Sequence, residues 1–441
     1  MKQEHVQTFT VSSFSNQSAQ SAASALDRWA LARVQASVPG ARFRFVLWDG
    51  FEIPPPAGPP PVATIVFRNR RALFSWIWDP ELNFGETYMF GAVDIRGDLE
   101  KTLEEVYRVW PDVRRRSWGL GQGANSMEAA KENVHHHYDL GNDFYQLWLD
   151  RQMLYTCAFF PTPLCSLEDA QIAKMDRVCW KLRLKPGERV VEAGCGWGSL
   201  ALFMAKQYGV SVRAFNVSTE QIAYARKRAA TEGLTDRVQF VEDDYRNVSG
   251  TYDAFISVGM LEHVGLSEYE TLGRVMDRSL TDRGRGLLHF IGRNQPTPLN
   301  RWIRKRIFPG AYAPTLGEVF DRVLEPQDLS VLDVENLRLH YAKTLEHWSA
   351  RFEAGAGKIA DMFDETFVRA WRLYLAGSEA AFATGFMQLF QVVFARGRSN
   401  AIPWTRESAS ESAVTRESAS ESAVTRESAS ESAVTREGSA G

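Results

Sequence analysis

A short apolar run, Glu188-Arg189-Val190-Val191-Glu192-Ala193, passes without a break into Gly194-Cys195-Gly196-Trp197-Gly198 and then into SLALFMAKQY, Ser199 to Tyr208. The first stretch reads as a buried strand, and the last as a helix whose apolar spacing suits packing on a sheet. Glycines between them let the backbone turn sharply and come close to a ligand, with the N-terminus of the following helix aimed at it. A strand, a glycine loop and a helix in that order commit this part of the chain to a layered α/β fold. The loop reads G-x-G-x-G behind an acidic Glu192, and no lysine stands where a phosphate-cradling loop needs one. A purely structural tight turn would use the same glycines, so the loop alone assigns no ligand.

The alternation continues beyond the loop. Strand character recurs at 212–216, 238–241, 254–258 and 286–291, with helical stretches between, which predicts a parallel sheet that binds ligands at the carboxyl ends of its strands. Residues 1–120 read differently, as a smaller α+β module. A Ser/Ala-rich leader and a helix precede Phe43-Arg44-Phe45-Val46-Leu47-Trp48, which runs into the hairpin signal Asp49-Gly50. A proline-rich extended connection at 54–61 follows, and strand character resumes over 63–68. Gly119-Leu120-Gly121-Gln122-Gly123 suggests a linker, so a larger domain is expected over 121–404. Residues 405–441 are dominated by an unbroken repeat, TRESASESAV, with too little apolar surface to offset the entropy of ordering; the expectation there is disorder and no catalytic role.

At 441 residues, 44% hydrophobic and 24% charged, the chain has an ordinary globular composition and no apolar run long enough to span a bilayer. The first residues lack a basic region followed by an apolar core, so the expected location is the cytoplasm. Each of the three tail repeats carries one Arg and two Glu, which accounts for the net charge of −3 and leaves the body near zero. Cys157, Cys165, Cys179 and Cys195 show no C-x-x-C pairing and suit reduced thiols. His135, His136 and His137 are consecutive and point apart on any regular element, so no metal site is expected. Basic clusters at Arg68-Asn69-Arg70-Arg71, Arg114-Arg115-Arg116 and RWIRKR (301–306) could meet an anionic surface or simply be solvated faces. RWIRKRIF is the best membrane candidate, because Trp302, Ile303, Ile307 and Phe308 interleave with its cations. No nucleic-acid partner is expected.

Four further segments carry a family resemblance: His137-Tyr138-Asp139-Leu140-Gly141-Asn142-Asp143-Phe144-Tyr145, Tyr155-Thr156-Cys157-Ala158, Gly259-Met260-Leu261-Glu262-His263-Val264-Gly265, and His340-Tyr341-Ala342-Lys343-Thr344-Leu345. With the glycine loop, they resemble the cyclopropane-fatty-acyl-phospholipid synthases and their mycolic-acid-modifying relatives, over roughly 135–397. Phe84-Gly85-Glu86-Thr87-Tyr88-Met89 and Gly97-Asp98-Leu99 extend the likeness into the first module, as in bacterial synthases with an extra N-terminal lipid-handling module. The resemblance implies a class I methyltransferase (Rossmann-like) doubly wound sheet and S-adenosylmethionine as cofactor. By that match, Tyr138 closes over the cofactor, while Gly194, Cys195, Gly196 and Gly198 surround its methionine moiety. Asn216, Ser218 and Gln221 follow the second strand, and Asp244 and Tyr245 border the adenine. No carboxylate follows the second strand at Val217-Ser218-Thr219, so the ribose must be held by neutral groups.

The resemblance also implies a bound bicarbonate as base, held by the side chains of Glu262, His289 and Tyr341 and by backbone N–H groups near Cys157 and Ile291. A carboxylate and an imidazole can orient such an anion, and hydroxyl and N–H groups stabilise its charge. An anion beside Glu262 would also push its pKa upward. From local context alone, His289 would be a core histidine, Tyr341 a core tyrosine and Cys157 a small buried hydrophobe. Many relatives carry a cysteine in the segment matching Tyr374-Leu375-Ala376-Gly377-Ser378, and Ser378 here argues against a thiol nucleophile. Trp371, Phe382, Phe386, Phe390 and Phe394 recur near helical spacing, which suits either core or a lipid-lined tunnel.

The expected reaction is methylene transfer from S-adenosylmethionine to a cis double bond in an acyl chain of a membrane phospholipid, giving a cyclopropane. The same scaffold could give a methylene-branched acyl chain instead. A soluble O- or N-methyltransferase would fit the loop but leaves Glu262, His289 and Tyr341 without a purpose, and a non-catalytic lipid-binding protein would bind cofactor without turnover. Peripheral association with the membrane, and a homodimer built through the first module, complete the expectation.

Overall fold

A computed structural model describes residues 21–55, 58–109 and 140–403. Tyr138, the His135–His137 run, the basic cluster at 114–116, the glycines at 119–123 and the repeat tail lie outside the described residues. Two sheets organise the rest.

The smaller sheet has four strands in the order β2-β1-β3-β4: β1 Phe43–Val46, β2 Glu52–Ile53, β3 Ala63–Phe67 and β4 Val93–Gly97. β1 and β2 form the hairpin expected at Asp49-Gly50, where Gly50 sits at φ +87°. β1 and β3 run parallel, with Phe45 opposite Ile65. Phe43, Phe45 and Ile65 are buried, and four helices (Ala25–Ala36, Arg70–Trp78, Pro80–Met89 and Leu99–Val109) complete the domain.

The larger sheet has seven strands in the order β10-β11-β9-β8-β5-β6-β7. β5 (Arg189–Ala193), β6 (Ser211–Asn216), β7 (Val238–Glu242), β8 (Tyr252–Val258) and β9 (Leu280–Gly292) are parallel, while β11 (Gln388–Arg396) inserts antiparallel between β9 and β10 (Leu329–Asn336). This is the doubly wound α/β sheet with a smaller N-terminal domain that the sequence predicts. The chain starts in the middle at β5 and winds outward on both sides, so the loops after β5 and β8 diverge. That divergence opens a crevice at their carboxyl ends.

The helical reading of the late phenylalanines is corrected. Trp371 and Phe382 lie on the helix Glu365–Ala383, but Gly385, at φ +80°, turns the chain, and Phe390 and Phe394 belong to β11. A spacing of four residues keeps side chains on one face of a helix and also on one face of a strand, so the spacing could not separate the two.

The two domains pack closely. The short helix Arg301–Arg306 lies on the helix Pro80–Met89, with Trp302 so near Gly85 that a Cβ there would fall 2.3 Å from the indole Cγ. Glu86, 5% exposed, accepts from Arg306 Nε and Nη2 at 2.7 Å each, with Lys305 at 3.4 Å. Arg301 pairs with Asp79. The basic-aromatic segment is therefore mainly an interdomain contact: Trp302 and Ile307 are buried, which removes them as membrane anchors. Arg68 and Arg70 are likewise engaged, with Asp94 and Asp27. Among the described residues no helix is long and apolar enough to cross a membrane.

Candidate active site

Two cavities meet at the carboxyl ends of β5, β8 and β9. The smaller, about 150 Å3, is walled by the glycine loop, Asn216, Gln221, Asp244 and Tyr245. The larger, about 260 Å3, holds Cys157, Glu262, His289, Ile291, Tyr341 and Ser378 in its walls. Tyr155, Thr156, Gly259 and His263 line both, so groups bound in the two cavities face each other across these four residues.

The glycine loop is shaped by steric need. Gly194 and Gly198 sit at φ +82° and +84°, and a Cβ on either would strike Met260 at 2.8 Å or Phe240 at 2.5 Å. Gly196, at φ +53°, has nothing within 4 Å of an added Cβ, so its backbone faces open space. Trp197 Nε1 donates to Asn142 Oδ1 at 2.6 Å, which ties the loop to the Gly141-Asn142-Asp143-Phe144 segment. Asn216 Nδ2 donates to Gly196 O and to Gln221 Oε1, at 3.2 and 2.7 Å. Ser218 has another place: it is buried as the N-cap of the helix Thr219–Thr231, accepts from Gln221 N, and is not among the cavity walls. These walls fit S-adenosylmethionine. The backbone at Gly196 is open at one end, Asp244 and Tyr245 flank the far side, and buried Glu192 Oε2 has no hydrogen-bond partner.

In the larger cavity, β-sheet register sets the chemistry. Val258 pairs with His289, and Gly259 N donates to His289 O at 2.8 Å, so the β8 end and its short helix Leu261–Val264 lie beside β9. Ile291 N donates to Glu262 Oε1 at 2.6 Å; the N–H expected to meet an anion is instead held by this carboxyl. Glu262 Oε2 and His289 Nε2 are buried without partners. Burial pushes Glu262 up to about 7, opposed by the Ile291 bond, and no anion is needed to explain the rise. Burial, helped by Lys174 and Lys181, pulls His289 down to about 3, so its imidazole is neutral near pH 7. Gln391, opposite His289 on β11, places Nε2 3.0 Å from Nδ1. With the amide donating, His289 carries its proton on Nε2. A buried imidazole N–H and the carboxyl of Glu262, which donates when its raised pKa keeps it protonated, can together hold a small anion.

Tyr341 is 7% exposed and packs on Phe382 and Trp348. Cys157 Sγ donates to Ala158 O, and burial drives its thiol strongly upward, so it is a packing residue rather than a nucleophile. Tyr155 and Tyr374, both in the wall of the larger cavity, share a hydroxyl–hydroxyl bond of 2.7 Å.

Sequence reasoning missed Lys174. It lies on the helix Leu167–Lys181, fully buried, and its Nζ donates to Thr156 Oγ1 at 2.9 Å, while Gln171 Nε2 donates to Thr156 O at 2.9 Å. Burial pulls Lys174 down and pushes Glu192 up, each moderated by the other. Two polar residues three apart on a helix's buried face were the available signal. Asp243 also lines the smaller cavity and accepts from Asp244 N.

Comparison with known proteins agrees with this geometry. The family described as mycolic acid cyclopropane synthetase matches residues 125–392, and a domain of unknown function matches 35–112. The chain is 37% identical to a probable fatty acid methyltransferase of Pseudomonas putida, over 82% of this chain and 95% of that protein. It is 40% identical to the cyclopropane-fatty-acyl-phospholipid synthase of Escherichia coli K12, over 73% and 85%. The solved mycolic acid cyclopropane synthase CmaA1, complexed with SAH and CTAB, superposes with a TM-score of 0.57 at 29% identity, covering 60% of this chain and 97% of that one. The fold, the paired cavities and these matches together place the chain in the mycolic acid cyclopropane synthetase family of S-adenosylmethionine-dependent methyltransferases.

Proposed function

We propose that the protein converts a cis double bond in an acyl chain of a membrane phospholipid into a cyclopropane. The observation that carries this reading is the pair of partnerless buried atoms, Glu262 Oε2 and His289 Nε2, in an apolar cavity that adjoins the cofactor cavity. S-adenosylmethionine, when bound, supplies an electrophilic methyl group, whose transfer to one alkene carbon leaves positive charge on the other. Bicarbonate would be held by Glu262, His289 and Tyr341 and would supply a base beside the added methyl. Everything else falls to the chain's own side chains.

The glycine loop, Asn216 and Gln221 hold the cofactor's amino-acid end, and Asp244 and Tyr245 its adenine. Tyr155, Thr156 and Gly259 fix the approach between the cavities, where orientation and exclusion of water lower the barrier for a weak alkene nucleophile. His289 donates from Nε2 because Gln391 occupies Nδ1, and Glu262 is oriented by Ile291 N–H. Trp78, 91% exposed beside the Asp79–Arg301 pair, is a point of contact with a bilayer surface for peripheral association. The second reading is a methylene-branched product, formed if the same cation loses its proton without closing a ring; the Pseudomonas putida relative is described as a probable fatty acid methyltransferase, a name that specifies no ring.

The test incubates purified protein with S-adenosylmethionine, bicarbonate and vesicles of monounsaturated phospholipid, followed by mass spectrometry and proton NMR of the released fatty acids. A gain of one CH2 with cyclopropane protons is expected. The same gain with alkene protons selects the branched product, and no gain with demonstrated cofactor binding rejects the substrate class.

A further inference from the structure

Lys174 is a buried cation, 1% exposed, in the wall of the smaller cavity. An ammonium offers three N–H donors and accepts nothing. Among the described residues it makes one hydrogen bond, to Thr156 Oγ1 at 2.9 Å, and no ion pair. Burial pulls it down to about 8, against the through-space pull of Asp150 and Glu192, so it is charged near pH 7. A buried charge is costly unless something pairs it, and its two idle donors lie beside the cofactor cavity. Glu192, 2% exposed in the same wall, is the opposite case, since its Oε2 has no partner. A carboxyl and an ammonium that share a cavity without pairing match the two charged groups of an amino acid.

Thr156 extends the effect. Because Lys174 can only donate, Thr156 Oγ1 accepts, and its own hydroxyl hydrogen is left to donate, with no protein acceptor among the described residues. The side chain is wedged in place: Thr156 Cγ2 lies 2.9 Å from where a Cβ on Gly259 would fall, and Thr156 O accepts from Gln171 Nε2 at 2.9 Å. Gln171 and Lys174, three apart on one helix, thus hold a residue that lines both cavities.

We infer that Lys174 is a cofactor-binding residue: its ammonium, with the Thr156 hydroxyl that it orients, takes the carboxylate at the amino-acid end of S-adenosylmethionine. The other permanent cation in those walls, Arg246, is already engaged by Asp244 and Glu268, at 2.8 and 3.3 Å. The inference rests on the cofactor alone and stands whichever acyl product forms. Because Thr156 lines both cavities, the same contact couples the seating of the cofactor to the space where its acceptor lies.

Calorimetric titration of the full chain compares S-adenosylhomocysteine with its decarboxylated analogue, adenosyl-thiopropylamine. The wild type should bind the carboxylated compound more tightly. Lys174→Met keeps the side chain's length and removes its charge. It should weaken S-adenosylhomocysteine about tenfold to a hundredfold, the contribution of a hydrogen bond to a charged group. The analogue should bind as before or more tightly, because its ammonium no longer meets a like charge. Thr156→Val keeps the side chain's shape and should weaken S-adenosylhomocysteine alone, by roughly threefold to tenfold. Equal weakening of both ligands marks a merely structural lysine, and no weakening of either marks an idle one; each result overturns the inference. Circular dichroism checks that the variants are folded, and if Lys174→Met is not, Thr156→Val decides by the same comparison. The titrations involve no lipid and no turnover, so failure of the acyl-chain reading is seen separately.

Discussion

In the pairing of His289 with Gln391, one hydrogen bond fixes which imidazole nitrogen faces the cavity. Gln391→Leu removes the donor at Nδ1, lets the ring take either tautomer and leaves the fold's apolar surroundings intact; kcat/KM should fall about tenfold to a hundredfold, with affinity for S-adenosylmethionine, read by calorimetry, unchanged. Glu262 carries a pH signature. Its folded pKa of about 7 lies above the ordinary 4.5, so its contribution to stability is complete below 4.5 and is lost as pH rises through 7. Glu262→Gln stays neutral and keeps an acceptor for Ile291 N–H. Urea denaturation at pH 5 and pH 8 should show the wild type losing about 2 kcal/mol relative to the variant over that interval, and parallel curves would remove the argument. Neither role was legible from local sequence. Glu262 and His289 are 27 positions apart in chain order, and a lone histidine in an apolar strand looks like core until register sets it beside a carboxyl; the family resemblance, not the spacing, pointed to them.

At the scale of elements, the glycine loop separates backbone strain from ligand space. Gly198→Ala places a Cβ against Phe240 and Ala225 at positive φ, so it should destabilise the fold by about 2 kcal/mol or more, seen as a lowered Tm. Gly196→Ala meets nothing within 4 Å; it should lower cofactor affinity, measured by calorimetry, by a larger factor than its milder strain lowers stability. The strand, loop and helix at 189–208 were readable because a short apolar run gave way at glycines to helical spacing, and the structure puts the helix at Ser199–Tyr208 as read. Phe390 and Phe394 were not, because their spacing fits both a helix and a strand. RWIRKRIF was read as a membrane candidate from its interleaved cations and apolar residues; sequence could not say that Trp302 is spent on another domain.

At the scale of the molecule, the ion pair of Glu86 with Arg306 is the charged joint between the two domains. Although burial opposes ionisation of Glu86, Arg306 and Lys305 hold its carboxyl below the ordinary value; the stability it adds is present above the ordinary 4.5 and lost as pH falls through the lowered value. Glu86→Gln leaves Arg306 facing a neutral partner and should cost about 3 kcal/mol, appearing in calorimetry as a small-domain transition separated from the main one. A single unchanged transition would show that apolar contacts alone hold the domains together. The chain by itself determined the α/β class, the strand, glycine loop and helix at its centre, and the presence of a smaller N-terminal domain, because hydrophobic period, glycine punctuation and motif residues are local properties. Tertiary structure decided which buried polar atoms lack partners, that Ser218 caps a helix while Lys174 reaches the active site, and that side chains of both domains wall the larger cavity. Those facts follow from strand register and domain docking, which bring together residues far apart in sequence whose side chains carry no local mark of the neighbours they will meet.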